Sequence, residues 1–333
     1  MRRVRATLAV AVIMIMAFGL AGIPGYAESA PPVTSGPTTR VIEAADGKPM
    51  VLEYTPANVQ RPQPSASSRA AALLEIPIQH YNICAGNDSC VEHPVLKDRA
   101  KNLVAFFKGT DSPWFISLNE VCRQDFEDLV TRTGSPGTMV VSLPENTNDC
   151  GGEPFGSAIL HPGGVKVDGI ARYLPSRDEG LDCTVDECRT MLCLKLQTYI
   201  GVMTVCTTHL ENEEEWARPQ AAEYLVMATA YAAGQARVLA GDFNLLPVDL
   251  RDAVPAYFTG MQDLVAQDKG TMPTWKDHDG EPETYPRAAT PDGHVDYIWV
   301  DRTGKPTTKA PYCPTDPLAS DHCYTSGTWV HTL

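Results

Sequence analysis

The sequence predicts an α/β protein in which two sheets pack face to face with helices outside. Three observations carry this. Apolar-alternating segments and segments of helical spacing follow one another from Leu73 onward. Two of the strand-like segments are close enough to form an antiparallel hairpin. The composition, 43% hydrophobic and 20% charged, supports a sizeable core.

The elements are read in chain order. Leu74 to Cys84 alternates apolar and polar residues, as a half-buried strand does. Leu96, Ala100, Leu103, Val104 and Phe107 have helical spacing and predict a helix over Leu96 to Lys108. Trp114 to Leu118 is a short apolar strand, and Gln124 to Thr131 a helix. Met139 to Leu143 and Ser157 to Leu160 read as strands. Met191 to Gln197 and Gly201 to Thr208 make the hairpin pair. Ala217 to Ala233 is an alanine-rich amphipathic helix, and Arg237 to Ala240 a buried strand. His294 to Val300 and Gly327 to His331 are the last strands.

Three stretches precede the main domain. Residues 1–27 read as a signal peptide: Arg2, Arg3 and Arg5, an apolar run from Leu8 to Leu20, then small residues up to Ala27. That run is short of the roughly 20 apolar residues of a membrane span. Residues 28–72 form a leader with a candidate small hairpin around Asp46-Gly47 and a Pro/Ser-rich linker from Pro56 to Ser68. The domain proper is expected over 73–333.

Ten cysteines in an exported chain indicate disulfides. Sequence does not fix connectivity. Local pairing favours Cys84–Cys90, Cys183–Cys188, Cys193–Cys206 and Cys313–Cys323, which leaves Cys122–Cys150 by elimination. The formal net charge of −14 repels polyanions at long range and counts mildly against non-specific DNA binding.

Polar residues sit at the ends of apolar strands: Asn82 in IQHYNIC, Glu120 in FISLNEV, His209 in VCTTHLE, Asp242 and Asn244 in VLAGDFN, Asp296 in HVDYIWV, and Asp321-His322 in LASDHC. A charge embedded in an apolar strand is costly unless paired or bound to metal. One such residue has an ordinary explanation as a cap or core ion pair; six segments sharing the placement do not.

This ordered set resembles the endonuclease/exonuclease/phosphatase superfamily of metal-dependent phosphoesterases, over about Leu73 to Leu333. The resemblance implies a four-layered α/β sandwich, two packed mixed β-sheets flanked by helices. It implies a bound divalent cation, Mg²⁺ with Mn²⁺ or Ca²⁺ as alternatives, held by Glu120, Asp321 and Asn82. It implies that Asp242 activates water, that Asn244 binds a phosphate oxygen from an extended segment, and that Asp296 pairs with His322. His209 is implied to bind phosphate or protonate the leaving group. Weaker candidates are Arg218 with Gln220, and the loop aromatics Trp275 and Tyr285, which either stack on a base or pack the loop. Glu211 either partners His209 or is surface acid. Deoxyribonuclease-like members often place a carboxylate partner for the first histidine on a middle strand, and FGSAILHP offers none.

The expected function is therefore that of a secreted, extracellular nuclease, a monomer acting on nucleic acid or another phosphate ester. A sphingomyelinase-type lipid phosphodiesterase and a phosphomonoesterase use the same site. A non-catalytic toxin-like or adhesive module ranks last, because Glu120, Asp242 and His322 are all present.

Overall fold

The computed structural model describes residues 38–42, 48–56, 73–83, 113–143, 152–176, 186–198, 201–264, 295–308 and 324–332, with Cys150, Cys183 and His322. The predicted helix over Leu96 to Lys108, and Asp321, Trp275, Tyr285, Cys84, Cys90, Cys313 and Cys323, lie outside the described residues.

Among the described residues, fourteen strands form two sheets. They are β1 (Thr38–Ile42), β2 (Val51–Thr55), β3 (Leu73–Asn82), β4 (Phe115–Cys122), β5 (Gly137–Leu143), β6 (Phe155–Leu160), β7 (Val165–Tyr173), β8 (Thr190–Thr198), β9 (Gly201–His209), β10 (Ala236–Asp242), β11 (Met261–Asp263), β12 (Asp296–Asp301), β13 (Gly304–Thr308) and β14 (Thr325–Thr332). The eight-stranded sheet runs β1-β2-β5-β6-β4-β3-β14-β13, and the six-stranded sheet β11-β12-β10-β9-β8-β7. Both are mixed, with β3 parallel to β4 and β9 parallel to β10.

The alternation of side chains along each strand builds three apolar layers. Ile76, Ile78, Phe115 and Val140 of one sheet meet Leu192, Leu194, Val205, Val238 and Ile298 of the other in the central layer. The opposite face of the eight-stranded sheet, through Leu52, Leu118 and Met139, packs on Phe126 and Leu129 of helix α1 (Arg123–Thr133). The opposite face of the six-stranded sheet packs on Ala221 and Tyr224 of α2 (Glu214–Ala232), Leu250 of α3 (Pro247–Ala253) and Tyr257 of α4 (Ala256–Gly260). Helix, sheet, sheet, helix is the four-layered sandwich expected.

The hairpin whose docking the sequence leaves open is part of the larger sheet: β1 pairs with β2, and β2 with β5, placing Leu52 beside Met139. The strand β7 was not expected. Its residues are mostly exposed or half-buried, and the short alternation of Val165 and Val167 with Lys166 and Asp168 ends at Gly169. Three disulfides match the expected pairs, Cys122–Cys150, Cys183–Cys188 and Cys193–Cys206, the last across directly paired positions of β8 and β9. Among the described residues, no helix is long and apolar enough to cross a membrane.

Candidate active site

The inner faces of both sheets change from apolar to polar toward one end. On β3 the inward series runs Ile76, Ile78, His80, Asn82; on β9 it runs Met203, Val205, Thr207, His209; on β10 it runs Val238, Ala240, Asp242. Strand β12 is antiparallel to β10 and begins at that end, so Asp296 stands opposite Asp242 in register. The parallel pairs β3/β4 and β9/β10 bring four strand C-termini to the same place.

Glu120 arrives by a different route. Strict alternation would give it the face of Leu118. The register of β4 against β6 instead shifts between Leu118 and Val121, and Glu120 has φ of 53°. A bulge of this kind re-aims a side chain, and a left-handed non-glycine residue at such a point is backbone strain kept at a site.

Each residue of the Gly241–Asn244 segment has a separate task. At Gly241, φ is 150° and a Cβ would stand 2.2 Å from the Thr208 carbonyl oxygen of the neighbouring strand. Asp242 is aimed into the site. Phe243 points to the other face, edge-on to Tyr224, Tyr257 and Tyr297 at centroid distances of 5.8, 5.5 and 5.2 Å. Asn244 has φ of 48°, so it is not extended as the sequence suggested. Its backbone N–H donates to Asp242 Oδ1 at 2.9 Å, and this turn brings its amide back to His209 Nε2 at 3.3 Å and to the Leu210 carbonyl at 3.0 Å.

Asn82 is the hub. Its Nδ2 donates to Glu120 Oε1 at 2.8 Å and to Asp242 Oδ2 at 3.0 Å, and lies 3.4 Å from His322 Nε2. His322 Nδ1 is 2.8 Å from Asp296 Oδ2, the expected pair. His209 Nε2 is 3.7 Å from Asp242 Oδ2 and 3.9 Å from Glu120 Oε1. Asn82, Glu120, His209, Asp242, Asn244, Asp296 and His322 thus form one cluster. Arg218 does not join it among the described residues. It is held between helices by Glu214 and by Asp249, the latter at 3.0 Å. Gln220 does support the region, accepting from the Glu211 backbone N–H at 2.9 Å.

Three residues of the site escaped sequence reasoning. Asn119, fully buried, accepts from the Asp242 backbone N–H at 2.8 Å and donates to Ser157 at 2.8 Å. His80 Nε2 lies 3.0 Å from Asp296 Oδ1. Arg189 Nη1 lies 3.2 Å from His209 Nδ1, where a carboxylate partner was sought. Glu211 is accordingly not surface acid. It is buried and binds the Arg189 guanidinium, with Nη2–Oε1 of 3.2 Å.

Burial dominates the electrostatics. It pushes the Asp242 carboxyl up to about 6, reinforced by Asp296 and opposed by His322 and the donors from Asn244 and Asn82. A base near neutrality suits proton abstraction from water. Burial resists ionisation of Asp296 too, but His322 and His80 overcome it and hold its carboxyl well below the usual range. Burial, then the charge of Arg189, holds His209 well below the usual histidine value, so the ring is neutral near pH 7.

Asp242, Asp296 and His322 each place a ligand atom within 4.8 Å of the others. Both oxygens of Asp296 are already engaged by imidazoles, which makes that trio a hydrogen-bonded relay more than a cage. The carboxylate left to face a cation is Glu120, whose Oε1 shares the Asn82 amide with Asp242 Oδ2. Hard carboxylate oxygens with an amide and imidazoles beside them fit Mg²⁺, Mn²⁺ or Ca²⁺.

The profile of the Endonuclease/Exonuclease/phosphatase family matches residues 80–322. No curated protein sequence matches the chain. Among solved structures, an endonuclease/exonuclease/phosphatase from Bacteroides vulgatus is 18% identical with a TM-score of 0.59, over 78% of this chain and 100% of that one. The human Nocturnin catalytic domain with bound sulfate is 18% identical with a TM-score of 0.56, over 77% and 93%. A mannosyl-6-phosphatase from Bacteroides thetaiotaomicron is 13% identical with a TM-score of 0.57, over 76% and 99%. At these identities the structures share the fold.

Proposed function

The chain belongs to the endonuclease/exonuclease/phosphatase family of phosphoesterases, and on that premise we propose that it is a secreted, divalent-metal-dependent nuclease that hydrolyses phosphodiester bonds. The observation that carries the reading is the Asn82 amide joining Glu120 to Asp242 at the polar end of the sandwich. Glu120, with Asn82 and Asp321, would hold the cation, which would supply positive charge to offset that on the phosphoryl and leaving oxygens. Asp242 takes the proton of water as its oxygen bonds to phosphorus and the bond to the leaving oxygen breaks. Asn244 and the neutral His209 donate to phosphoryl oxygens. Asp296 holds His322 with Nε2 toward the same place. The oxidised cysteines are not nucleophiles, and no covalent intermediate is needed. Disulfides support an extracellular setting, and nothing in the reaction requires a protein partner.

A second reading keeps the site and changes the substrate to a phosphomonoester or a neutral lipid head group. Two observations favour it. The net charge of −14 opposes a long polyanion, and His209 is backed by Arg189 where deoxyribonuclease-like relatives use a carboxylate. The deciding experiment offers the oxidised mature protein plasmid DNA, RNA, sphingomyelin and p-nitrophenyl phosphate, each with Mg²⁺, Mn²⁺ or EDTA. Asp242→Ala and His322→Ala serve as controls. Metal-dependent cleavage of nucleic acid, lost in both variants, is the expected result. Turnover of lipid or monoester alone replaces the substrate, and turnover of nothing sinks the reading.

A further inference from the structure

Asp296 carries two imidazoles, one on each oxygen. His322 Nδ1 is 2.8 Å from Oδ2, and His80 Nε2 is 3.0 Å from Oδ1. A carboxylate only accepts, so His80 presents an N–H there. In the neutral ring Nδ1 then accepts from the Ser117 hydroxyl, 2.9 Å away, and Ser117 Oγ lies 2.7 Å from Thr207 Oγ1. The chain of contacts crosses between the sheets: His80 and Ser117 stand on β3 and β4, Thr207 and Asp296 on β9 and β12. His80, Ser117, Thr207 and Asp296 are all buried.

We propose that His80 is a positioning residue of the phosphoester reaction, fixing the rotation of the Asp296 carboxylate so that His322 keeps one orientation in the site. The terminal torsion of an aspartate is broad, and one hydrogen bond leaves the carboxylate and its partner ring free to swing together. A second donor on the other oxygen, itself braced through Ser117, removes that freedom. Nε2 of His322 is then held 3.4 Å from Asp242 Oδ2 and 3.4 Å from Asn82 Nδ2. A histidine serving only to fill the core would need any two polar partners. This one is bound to the carboxylate that orients the site histidine, and it stands two residues from Asn82 on the same strand face. The inference rests on the phosphoesterase reading of the cluster.

The test compares His80→Gln, whose amide reaches about as far as Nε2, with His80→Leu and with His80→Asn, whose amide is too short. Steady-state hydrolysis of bis(p-nitrophenyl) phosphate with Mg²⁺ is measured beside the low-field proton signal of the His322–Asp296 hydrogen bond. Loss of that signal in His322→Gln assigns it. Supporting partners of this kind change activity by about 10- to 100-fold. The expected result is a kcat down by about that factor in the Leu and Asn variants, with KM within about twofold and the signal lost or broadened. The Gln variant keeps both the rate and the signal. If the Leu variant does not fold, the contrast between Gln and Asn decides. Equal kcat and an unchanged signal in Gln and Asn, with only the melting temperature altered, overturn the proposal. Should the parent hydrolyse no phosphate ester, the functional reading fails, and the proton signal still reports whether His80 fixes the pair.

Discussion

Replacing Arg189 by methionine removes one cation from four partners at once, Glu211, Glu187, His209 and Asn212. Its guanidinium meets Glu211 at 3.2 and 3.4 Å, Glu187 at 2.8 Å and His209 Nδ1 at 3.2 Å. The Arg189 and Glu211 side chains are 8% and 10% exposed, so Glu211 is left as a buried charge without its cation. Stranding one member of a buried pair costs about 3–5 kcal/mol. The Glu187 side chain is 36% exposed, and its share is at most about 1 kcal/mol after solvent screening. The expected loss for Arg189→Met is therefore about 4 kcal/mol. Adding Glu211→Gln removes the stranded charge, and the double variant should regain about half of the loss. Urea unfolding with disulfides intact measures this, the slope m serving to check that the unfolded state is unchanged. A single variant within about 1 kcal/mol of the parent, or a double variant no better than the single, refutes the argument.

Three further outcomes are expected. Gly241→Ala should cost at least about 2 kcal/mol and abolish turnover, because the new Cβ forces β9 and β10 apart at the site. Gly234→Ala, where φ is 85° and nothing stands within 4 Å, should cost only about 1 kcal/mol and spare activity; equal effects by thermal melting would contradict this. His161 is buried, and burial with the nearby Lys166 charge lowers it from 6.5 to about 4. The unfolded chain takes up that proton first, so stability falls as pH drops from 6.5 to 4, by about 3 kcal/mol in all, and is unaffected above 6.5. His161→Asn, which keeps the donor to the Gly164 carbonyl, should flatten urea midpoints across that window. Glu120→Gln should raise the Mg²⁺ concentration for half-maximal activity by tenfold or more, and an unchanged metal titration would remove Glu120 from the cation site.

The residues that sequence made visible share one property: each breaks a local rule. Asp242 and Asp296 put charge into apolar strands. The residues that stayed hidden break none. His80 is the polar member of an alternating strand, so IQHYN reads as ordinary half-burial. Asn119 stands beside the more conspicuous Glu120. Arg189 precedes its strand in a cysteine-bearing loop, and only the pairing of β8 with β9 brings it to His209. Glu211 stays ambiguous for the same reason: ENEEE resembles a solvated run, yet its first glutamate is buried against Arg189. The strand β7 and the docking of the β1–β2 hairpin were likewise outside local reach, since both depend on partners far along the chain.

Charge bookkeeping at the polar end explains why these hidden residues matter. Glu120, Asp242 and Asp296 bring three carboxylates into a largely water-excluded volume. The nearby Arg189 is matched by Glu211 and Glu187 before it reaches His209, so it adds little net positive charge to the centre. Asp296 is satisfied by two imidazoles, Asn82 supplies a neutral donor to the Asp242 carboxylate, and Asn119 accepts from the Asp242 backbone N–H. What remains for Glu120 and Asp242 is an excess of negative charge facing the place where an anionic phosphate must bind. A phosphate would be repelled from that place by the residues that are to act on it. A divalent cation held by Glu120 would reverse the local field, and these carboxylates are the physical ground for the metal dependence proposed above.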